Sequence, residues 1–203
     1  KVLTTRELAS MIRQAGIDFA NLEDSEADKQ IGPYTGAATI FGATGGVMEA
    51  AVRTAYKLVT GNELGDVNYT PVRGLEGVKK AEVDLNGIKV KLAVVHQMAN
   101  IEPVVEEIRK AAAEGKERPY DFIEVMACRG GCVTGGGQPY GHSDDLRVKR
   151  AAALYTDDAT HEIRCSHQNP LITQIYKEYF GEPNSEKAHH LLHTHYTKRE
   201  LYT

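Results

Sequence analysis

The alternation of apolar and polar positions along the chain predicts an α/β fold with a small mixed sheet of about four strands flanked by helices. The strand signals lie at residues 67–72, 81–85, 88–95 and 122–126. Asn86 and Gly87 separate the second strand from the third, and Asn-Gly is the dipeptide most typical of two-residue hairpins. We therefore expect these two strands to pair antiparallel.

A β-α-β crossover is predicted between the third and fourth strands. Residues 92–95 are continuously apolar, and 122–126 are apolar except for Glu124, as in strands that are buried on both faces. Between them, Glu102 and Pro103 open a helical pattern that extends to Ala113. Such connections are right-handed and join parallel strands. The pattern places residue 128 at the carboxyl edge of an inner strand, where α/β proteins bind ligands.

Five further segments show the apolar spacing of helices. Thr4 and Glu7 have capping-box spacing, and Ser143, Asn169 and Ser185 precede the last three segments as capping residues. The predicted helices cover residues 4–15, 47–60, 143–155, 169–180 and 185–195, with Val47, Ala51, Ala55, Leu58 and Val59 inward in the second and Leu171, Ile172, Ile175 and Tyr179 inward in the fourth. We expect one domain over residues 1–203, with the sheet and crossover helix in 61–140 and a helical segment in 141–203.

Composition excludes several classes of protein. The chain has 203 residues and a formal net charge of −4, which gives no overall attraction to nucleic acid. No apolar run approaches the roughly 20 residues of a membrane span. Three cysteines, an odd number, argue against a disulfide framework and predict a reducing, cytoplasmic compartment. Because the chain begins at Lys1, we expect the natural N-terminus to lie upstream. The acidic stretch 21–30 is expected to be a solvated loop, or alternatively a docking patch for a partner.

The main candidate for chemistry is a glycine-rich loop that follows the last predicted strand. Five of the eight residues 130–137 are glycine, and Cys128 and Cys132 lie at its start. Two thiolates at the end of a strand suggest half of a metal site, since a tetrahedral zinc site or an iron–sulfur cubane needs four ligands. The spacing alone is equally consistent with two half-buried thiols beside a flexible loop.

Other candidate residues are less specific. Residues 35–46 form a second glycine-rich segment before a helix, where backbone amides attract anions. The segment lacks the known nucleotide-binding patterns, and a tight structural turn is the alternative to anion binding. In the last helix, His189, His190, His193 and His195 could bind a metal, but a packed or exposed helix is the expectation. We expect ordinary partial burial of Cys165, with a reactive thiol as the alternative.

The longer sequence of the cysteine loop resembles a known family. Residues 124–128 read Glu-Val-Met-Ala-Cys, followed by Gly131-Cys132 and by Gly-Gly-Gly-Gln-Pro at 135–139. This string closely resembles the third cysteine motif of the iron-iron (FeFe) hydrogenases. Residues 2–8, 41–51 and 191–196 are similar to other stretches of that family. The family's first motif, Thr-Ser-Cys-Cys-Pro, and its second, Pro-Cys-x-x-Lys, are absent. The resemblance therefore implies the C-terminal part, and one lobe, of a two-lobed catalytic domain, either excised or forming one chain of a split enzyme.

The resemblance also implies a cofactor and roles for individual residues. The family reversibly splits dihydrogen at the H-cluster, a 4Fe-4S cubane linked through a cysteine sulfur to a two-iron unit. By motif, Cys128 would ligate the cubane, Cys132 would ligate it and bridge to the two-iron unit, and Met126 would pack against that unit. Phe41 and Gly42 would form a wall of the cavity, and Thr44 would be a hydrogen-bond donor.

Implied partners are the missing half of the domain or a partner subunit, and ferredoxin or a pyridine-nucleotide redox module. Two positions differ from the family's pattern. Arg129 stands where the family often has proline, and residues 96–100 contain fewer glycines than the corresponding segment of the family. We expect the isolated chain to hold iron weakly or not at all and to evolve no hydrogen.

Two other functions are compatible with the sequence. A hydrogenase-like protein of iron–sulfur assembly or gas sensing would bind a cluster without turnover. A small zinc-binding or structural interaction domain would use Cys128, Cys132 and a histidine. An intact proton-relay cysteine and second motif upstream would favour catalysis, whereas stoichiometric zinc without iron would favour the zinc-binding domain.

Overall fold

The fold is α/β, with a small mixed sheet between two long helices. The computed structural model describes residues 2–25, 33–198 and 200. Short 3₁₀ turns at Phe19–Asn21, Ile40–Gly42, Thr70–Val72, Cys132–Thr134 and Ser166–Gln168, and a π-helical turn at Tyr176–Phe180, join the main elements. In chain order these are α1 Thr5–Gln14, α2 Gly36–Thr39, α3 Gly46–Thr60, β1 Val78–Leu85, β2 Ile88–His96, α4 Met98–Ala113, β3 Phe122–Met126, α5 Asp144–Thr160, α6 Pro170–Ile175 and α7 Glu186–Leu192.

The sheet has the strand order β1-β2-β3 in the described part of the chain. β1 pairs antiparallel with β2 from Val78↔Val95 to Leu85↔Ile88. β2 pairs parallel with β3 from Leu92↔Phe122 to His96↔Met126, and α4 makes the connection between them. The Asn-Gly hairpin and the parallel crossover predicted from the sequence are therefore confirmed, with Asn86 at φ 59° and Gly87 at φ 91° in the turn.

The core lies on both faces of the central strand β2, whose residues 92–96 are all buried. On one face, Leu92 and Val94 pack with Met48 and Val52 of α3. On the other, Ala93 and Val95 pack with Val104 of α4 and Tyr120. Apolar contacts on both faces explain why this segment is continuously hydrophobic.

Helix starts agree well with the capping signals. Thr4 and Glu7 form a full capping box at the start of α1, and Ser143 and Ser185 accept backbone N–H groups at the starts of α5 and α7. Helix ends agree less well. α5 continues five residues past Tyr155 to Thr160, whereas α7 ends at Leu192 rather than at His195. α4 begins at Met98, before the expected Glu102, and carries Pro103 inside its second turn.

The sheet prediction was wrong in two respects. Residues 67–72 form no strand, because Pro71 lacks the N–H that a ladder requires and Thr70–Val72 adopt a 3₁₀ turn. Among the described residues the sheet thus has three strands rather than about four. In the part of the chain that the structure describes, β3 lies at the edge of the sheet rather than inside it, and it exposes Phe122 and Val125 while burying Glu124.

The predicted inward face of α3 was also wrong. Leu58 and Val59 are exposed, whereas Met48, Glu49, Val52 and Arg53 are buried, because this helix buries ion pairs together with its apolar side chains. In the α6 region, Ile172 and Tyr179 are exposed although an inward orientation was expected. The acidic stretch 21–30 lies outside the described residues from position 26 onward, and its residues 21–25 are exposed. No helix in the described segments is long and apolar enough to cross a membrane.

Candidate functional site

The cysteine loop turns sharply at the carboxyl end of β3. Gly130 and Gly131 adopt φ values of 80° and 93°, which favour glycine, and the Gly131 N–H donates to the Cys128 carbonyl at 3.1 Å. Cys132 then begins a 3₁₀ turn that ends at Thr134. Both thiols are exposed. Cys132 also lines an open pocket together with Gly42, Gln138 and other side chains. The loop therefore presents two free thiols to the surface within five residues.

The second glycine-rich segment packs directly against this loop. A Cβ at Gly131 would lie 2.8 Å from the Thr44 nitrogen, 2.9 Å from the Gly42 carbonyl oxygen and 3.0 Å from the Met126 sulfur. The Thr44 N–H also donates to the Gly130 carbonyl at 3.0 Å. The structure thus brings Gly42, Thr44 and Met126 together behind the cysteine loop. Phe41, next to Gly42, exposes 46% of its surface.

The side chain of Thr44 is buried beneath the loop. It is 3% exposed, and its hydroxyl oxygen accepts a hydrogen bond from the Lys79 ammonium at 3.3 Å. Lys79 also donates to the Gly74 carbonyl at 2.9 Å. Burial lowers the pKa of Lys79 to about 8, against the opposing charges of Glu124 and Glu76. No pattern in the sequence predicted this buried lysine.

Glu124 supports the loop from beneath. Its carboxylate accepts the backbone N–H groups of Gly45 at 2.6 Å and Met48 at 2.8 Å, at the start of α3. Burial raises the pKa of Glu124, although these hydrogen bonds and the charge of Lys79 oppose the rise. Glu124 was visible in the sequence as the one interruption of an apolar run. Its inward side chain ties β3 to the glycine-rich segment.

His96 holds the loop from β2. It is fully buried, and its Nε2–H lies near the Leu75 and Glu76 carbonyls at 3.3 and 3.1 Å. This leaves Nδ1 to accept the Gly130 N–H at 3.3 Å, a pattern that requires the neutral ring. Burial, with a further contribution from the charge of Lys79, lowers the pKa of His96, which favours the same neutral form.

The two departures from the family's sequence are in contact. Arg129, between the cysteines, donates to the Gln97 side-chain oxygen at 3.2 Å and to both carboxylate oxygens of Asp144 at 3.0 and 2.7 Å. Hydrogen bonding by Arg129, with a further contribution from Arg147, lowers the pKa of Asp144 to about 2. Gln97 has φ 69°, a conformation that suits glycine. Arg129 therefore ties the cysteine loop to the start of α5.

A buried ion cluster joins α3 to α5 and was not predicted. Arg53 and Asp158 are fully buried and form two hydrogen bonds at 2.8 and 2.9 Å. Arg53 also donates to Glu49 at 2.8 Å, and Arg73 and Arg164 neutralise the two carboxylates from the outside. The one signal in the sequence was the position of Arg53 within the apolar pattern of α3. An arginine buried in such a helix implies an acidic partner, since buried arginine is rare unless it is paired.

The remaining candidates lie elsewhere. The side chains of the four histidines at 189, 190, 193 and 195 are exposed, and the rings of His189 and His193 stand 4.4 Å apart. Cys165 is 2% exposed, so the expected partial burial was wrong, and burial raises the pKa of its thiol, which opposes a role as a reactive thiolate.

The donor set fits half of an iron–sulfur site. Thiolates are the ligands that such clusters prefer, and the loop's amides lie beside them. Within the described ranges, no group of three metal-ligating side chains includes Cys128 or Cys132. Any four-ligand cluster at this loop would therefore need two donors from outside these residues.

Comparison with known proteins identifies the family. Residues 1–136 match the family described as iron only hydrogenase large subunit, C-terminal domain, and residues 144–199 match the family described as iron hydrogenase small subunit. The buried pair Arg53–Asp158 joins these two segments.

The similar proteins include hydrogenases and a protein named NAR1. NADP-reducing hydrogenase subunit HndD of Solidesulfovibrio fructosivorans is 48% identical over 98% of this chain and 33% of its own length. Iron hydrogenase 1 of Clostridium pasteurianum is 48% identical over 97% of this chain and 34% of its own length. Protein NAR1 of Arabidopsis thaliana is 30% identical over 96% of this chain and 41% of its own length.

Solved structures agree with the sequence comparison. A variant of the FeFe hydrogenase HydA1 from Chlamydomonas reinhardtii superimposes with a TM-score of 0.71 at 38% identity, over 96% of this chain and 55% of that one. The chain spans about a third of the length of the two curated hydrogenases and about half of this solved chain. The chain thus belongs to the FeFe hydrogenase family and corresponds to the C-terminal region of its large subunit.

Proposed function

We propose that this chain is the C-terminal portion of the catalytic subunit of an FeFe hydrogenase, which interconverts dihydrogen with protons and electrons. The observation that carries the proposal is the exposure of Cys128 and Cys132 on one glycine-rich loop, which packs through Gly131 against Gly42 and Thr44. The H-cluster supplies the two-electron chemistry when it is bound. The roles below concern the chain's own residues.

The two thiolates would hold the cofactor from one side. Cys128 would ligate the cubane, and Cys132 would ligate the cubane and bridge to the two-iron unit. Met126, whose sulfur lies behind Gly131, would offer a soft apolar surface to that unit. Phe41 and Gly42 would limit access of water to the cavity. The proposed donor role of Thr44 requires its hydroxyl proton, since the oxygen already accepts from Lys79.

The other ligands and the proton relay would come from an upstream segment or a partner chain. Exposed apolar side chains near the loop, including Phe41 and Val125, support a further protein surface there. We propose that residues 1–203 form one domain, since buried Arg53–Asp158 crosses from the first matched segment to the second. Ferredoxin or a pyridine-nucleotide module would exchange electrons. A cytoplasmic location is consistent with three unpaired thiols.

The test is to replace each cysteine in the complete protein that contains the first and second cysteine motifs. Cys128→Ser and Cys132→Ser should each remove most cubane iron and acid-labile sulfide and abolish hydrogen evolution. Gly136→Ala is the matched control, because a Cβ at Gly136 on the same loop meets open space. Full iron content and an unchanged electron paramagnetic resonance spectrum in both serine variants would exclude the proposed ligation.

The isolated chain gives a second test. Because it offers two thiolates at this loop, we expect it to bind iron weakly or not at all and to evolve no hydrogen. A stable four-iron protein with hydrogenase activity, made from this chain alone, would contradict that expectation. The same preparation loaded together with the missing segment should gain both iron and activity.

A second candidate function is iron–sulfur assembly or sensing without turnover. The match to Protein NAR1, at 30% identity against 48% for the two hydrogenases, is the observation that keeps it open. The sequence upstream discriminates between the two functions. A proton-relay cysteine and an intact second motif support the hydrogenase, and their absence from the complete protein supports the assembly or sensor role.

A further inference from the structure

A second set of metal-ligating side chains lies outside the cysteine loop. Glu63 follows α3, while Cys165 and His167 follow α5, and one donor atom from each lies within 4.8 Å of the other two. Cys165 is almost fully buried and the His167 side chain is 13% exposed, whereas Glu63 is accessible from solvent. In the described part of the chain this is the one such group of three.

The contacts of His167 resemble the surroundings of a metal-binding histidine. Its Nδ1 lies 3.2 Å from the Thr54 hydroxyl oxygen, and its Nε2 lies 2.9 Å from the Glu63 carboxylate. Metal-binding histidines commonly use the second ring nitrogen in a hydrogen bond that fixes the orientation of the ring. Here Thr54 fixes the ring so that Nε2 faces Glu63 and can share either a proton or a metal ion with it.

The donor types select the class of ion. One thiolate, one imidazole and one carboxylate suit zinc or another borderline divalent transition metal, and they do not suit calcium or magnesium. Zinc bonds of about 2.0–2.3 Å place neighbouring donors roughly 3.3–3.8 Å apart, within reach of small side-chain rotations from the observed positions. Lys57 lies 3.1 Å from one oxygen of Glu63, and the other oxygen faces His167.

We propose that Glu63, Cys165 and His167 bind one zinc-class divalent cation, with solvent as the fourth ligand. The ion would replace the proton shared by His167 and Glu63 and would take the proton of Cys165 into solvent. It would join the loop after α3 to the chain after α5, and so link the two segments that match different families. The proposal is independent of the hydrogenase assignment.

The test uses the full chain with Cys128→Ser and Cys132→Ser, so that the cluster loop cannot bind the ion. Calorimetric titration of the chelator-treated, reduced protein with zinc chloride should show one site. Cys165→Ser and His167→Gln should each abolish binding, and Thr54→Val should weaken it by about 10–100-fold. Cobalt(II) should show a thiolate charge-transfer band that Cys165→Ser removes.

The control replaces His189 and His193, the exposed pair at the end of α7, with alanine. These substitutions should leave zinc affinity unchanged. Glu63→Gln, at an accessible position, should weaken binding at least about 10-fold without disturbing the fold, and it decides the question if a buried variant fails to fold. The proposal is overturned if no zinc binds, if zinc affinity is unchanged in Glu63→Gln or in Cys165→Ser, or if the His189 and His193 substitutions abolish binding.

Discussion

Removal of the Asp158 carboxylate should destabilise the chain strongly. Asp158 and Arg53 are both fully buried, and Asp158→Ala deletes two of the hydrogen bonds of Arg53. The guanidinium would remain buried with Glu49 as its one carboxylate partner. Breaking one side of such a pair costs about 3–5 kcal/mol, because Glu49 alone would then face the positive charges of Arg53 and Arg73 in a region of low dielectric constant.

This cost is large relative to the total stability of a domain. Stabilities of about 5–15 kcal/mol are typical, so the variant would lose a substantial fraction. For a chain of this size the midpoint of thermal unfolding should fall by roughly 6–20 °C. Urea unfolding followed by circular dichroism measures the free energy directly.

The exposed pair Lys89–Glu82 provides the control. Its atoms are 3.1 Å apart, but the side chains are 68% and 47% exposed. Glu82→Ala should therefore cost under about 1 kcal/mol. If Asp158→Ala costs no more than Glu82→Ala, the reasoning about burial is wrong.

The same pair gives a pH dependence. Burial alone would raise the pKa of Asp158, but hydrogen bonds from Arg53 and Arg164 outweigh it and hold the pKa below its usual value. The stabilisation is complete above the pKa of an unfolded aspartate, near 3.9 on average, and declines as the pH falls toward the folded value. Asp158→Ala should lose this acid-dependent part of the unfolding free energy.

Three further predictions concern the surroundings of the cysteine loop. The pKa of Lys79 is lowered from 10.5 to about 8, so the protonated amine destabilises the fold. The free energy of unfolding should therefore rise as the pH increases from about 8 to 10.5. Lys79→Met should remove that rise, as measured by urea unfolding. Gln97→Gly should relieve the strain of φ 69° and raise stability by about 1 kcal/mol, whereas Gln97→Ala, which equally loses the Arg129 contact, should not. Gly131→Ala should destabilise the chain by more than about 1 kcal/mol and displace the loop. The reason is that Gly131 has φ 93° and that a Cβ there would lie 2.8 Å from a backbone nitrogen. Gly136→Ala should leave stability unchanged, because a Cβ at that position meets open space.

Each of these has a contradicting result. An unchanged pH profile in Lys79→Met would show that the amine does not titrate as a buried group. Equal stability of the glycine and alanine variants at position 97 would show that the backbone there is unstrained. A Gly131→Ala protein as stable as Gly136→Ala would mean that the two glycine-rich segments separate easily.

Local signals in the sequence predicted the elements that depend on local chemistry. The caps at Thr4, Ser143 and Ser185 and the turn at Asn86-Gly87 each satisfy backbone groups within a few residues, so the sequence alone determines them. The cysteine loop was also found, because five glycines after an apolar run are rare. The loop packs against Gly42 and Thr44, and the role of that segment as a cavity wall stays a prediction.

The errors arose where distant residues decide burial. Glu124 and Arg53 face inward because a helix start and a carboxylate elsewhere in the chain receive them. A hydrophobic pattern treats both as surface residues, so it predicted neither the exposure of Phe122 and Val125 on β3 nor the charged buried side of α3. The strand predicted at residues 67–72 was wrong for a local reason. The alternation of apolar residues suggested a strand, although Pro71 opposes one.

The contact between Arg53 and Asp158 has a consequence for how such a chain could be divided between genes. A break in the polypeptide between residues 137 and 143 would leave an arginine in one product and its aspartate in the other. Each product would expose to water a surface whose charges are arranged for the interior of a protein. Two separately made parts would have to associate before this pair could form, which would make it a determinant of subunit pairing as well as of folding.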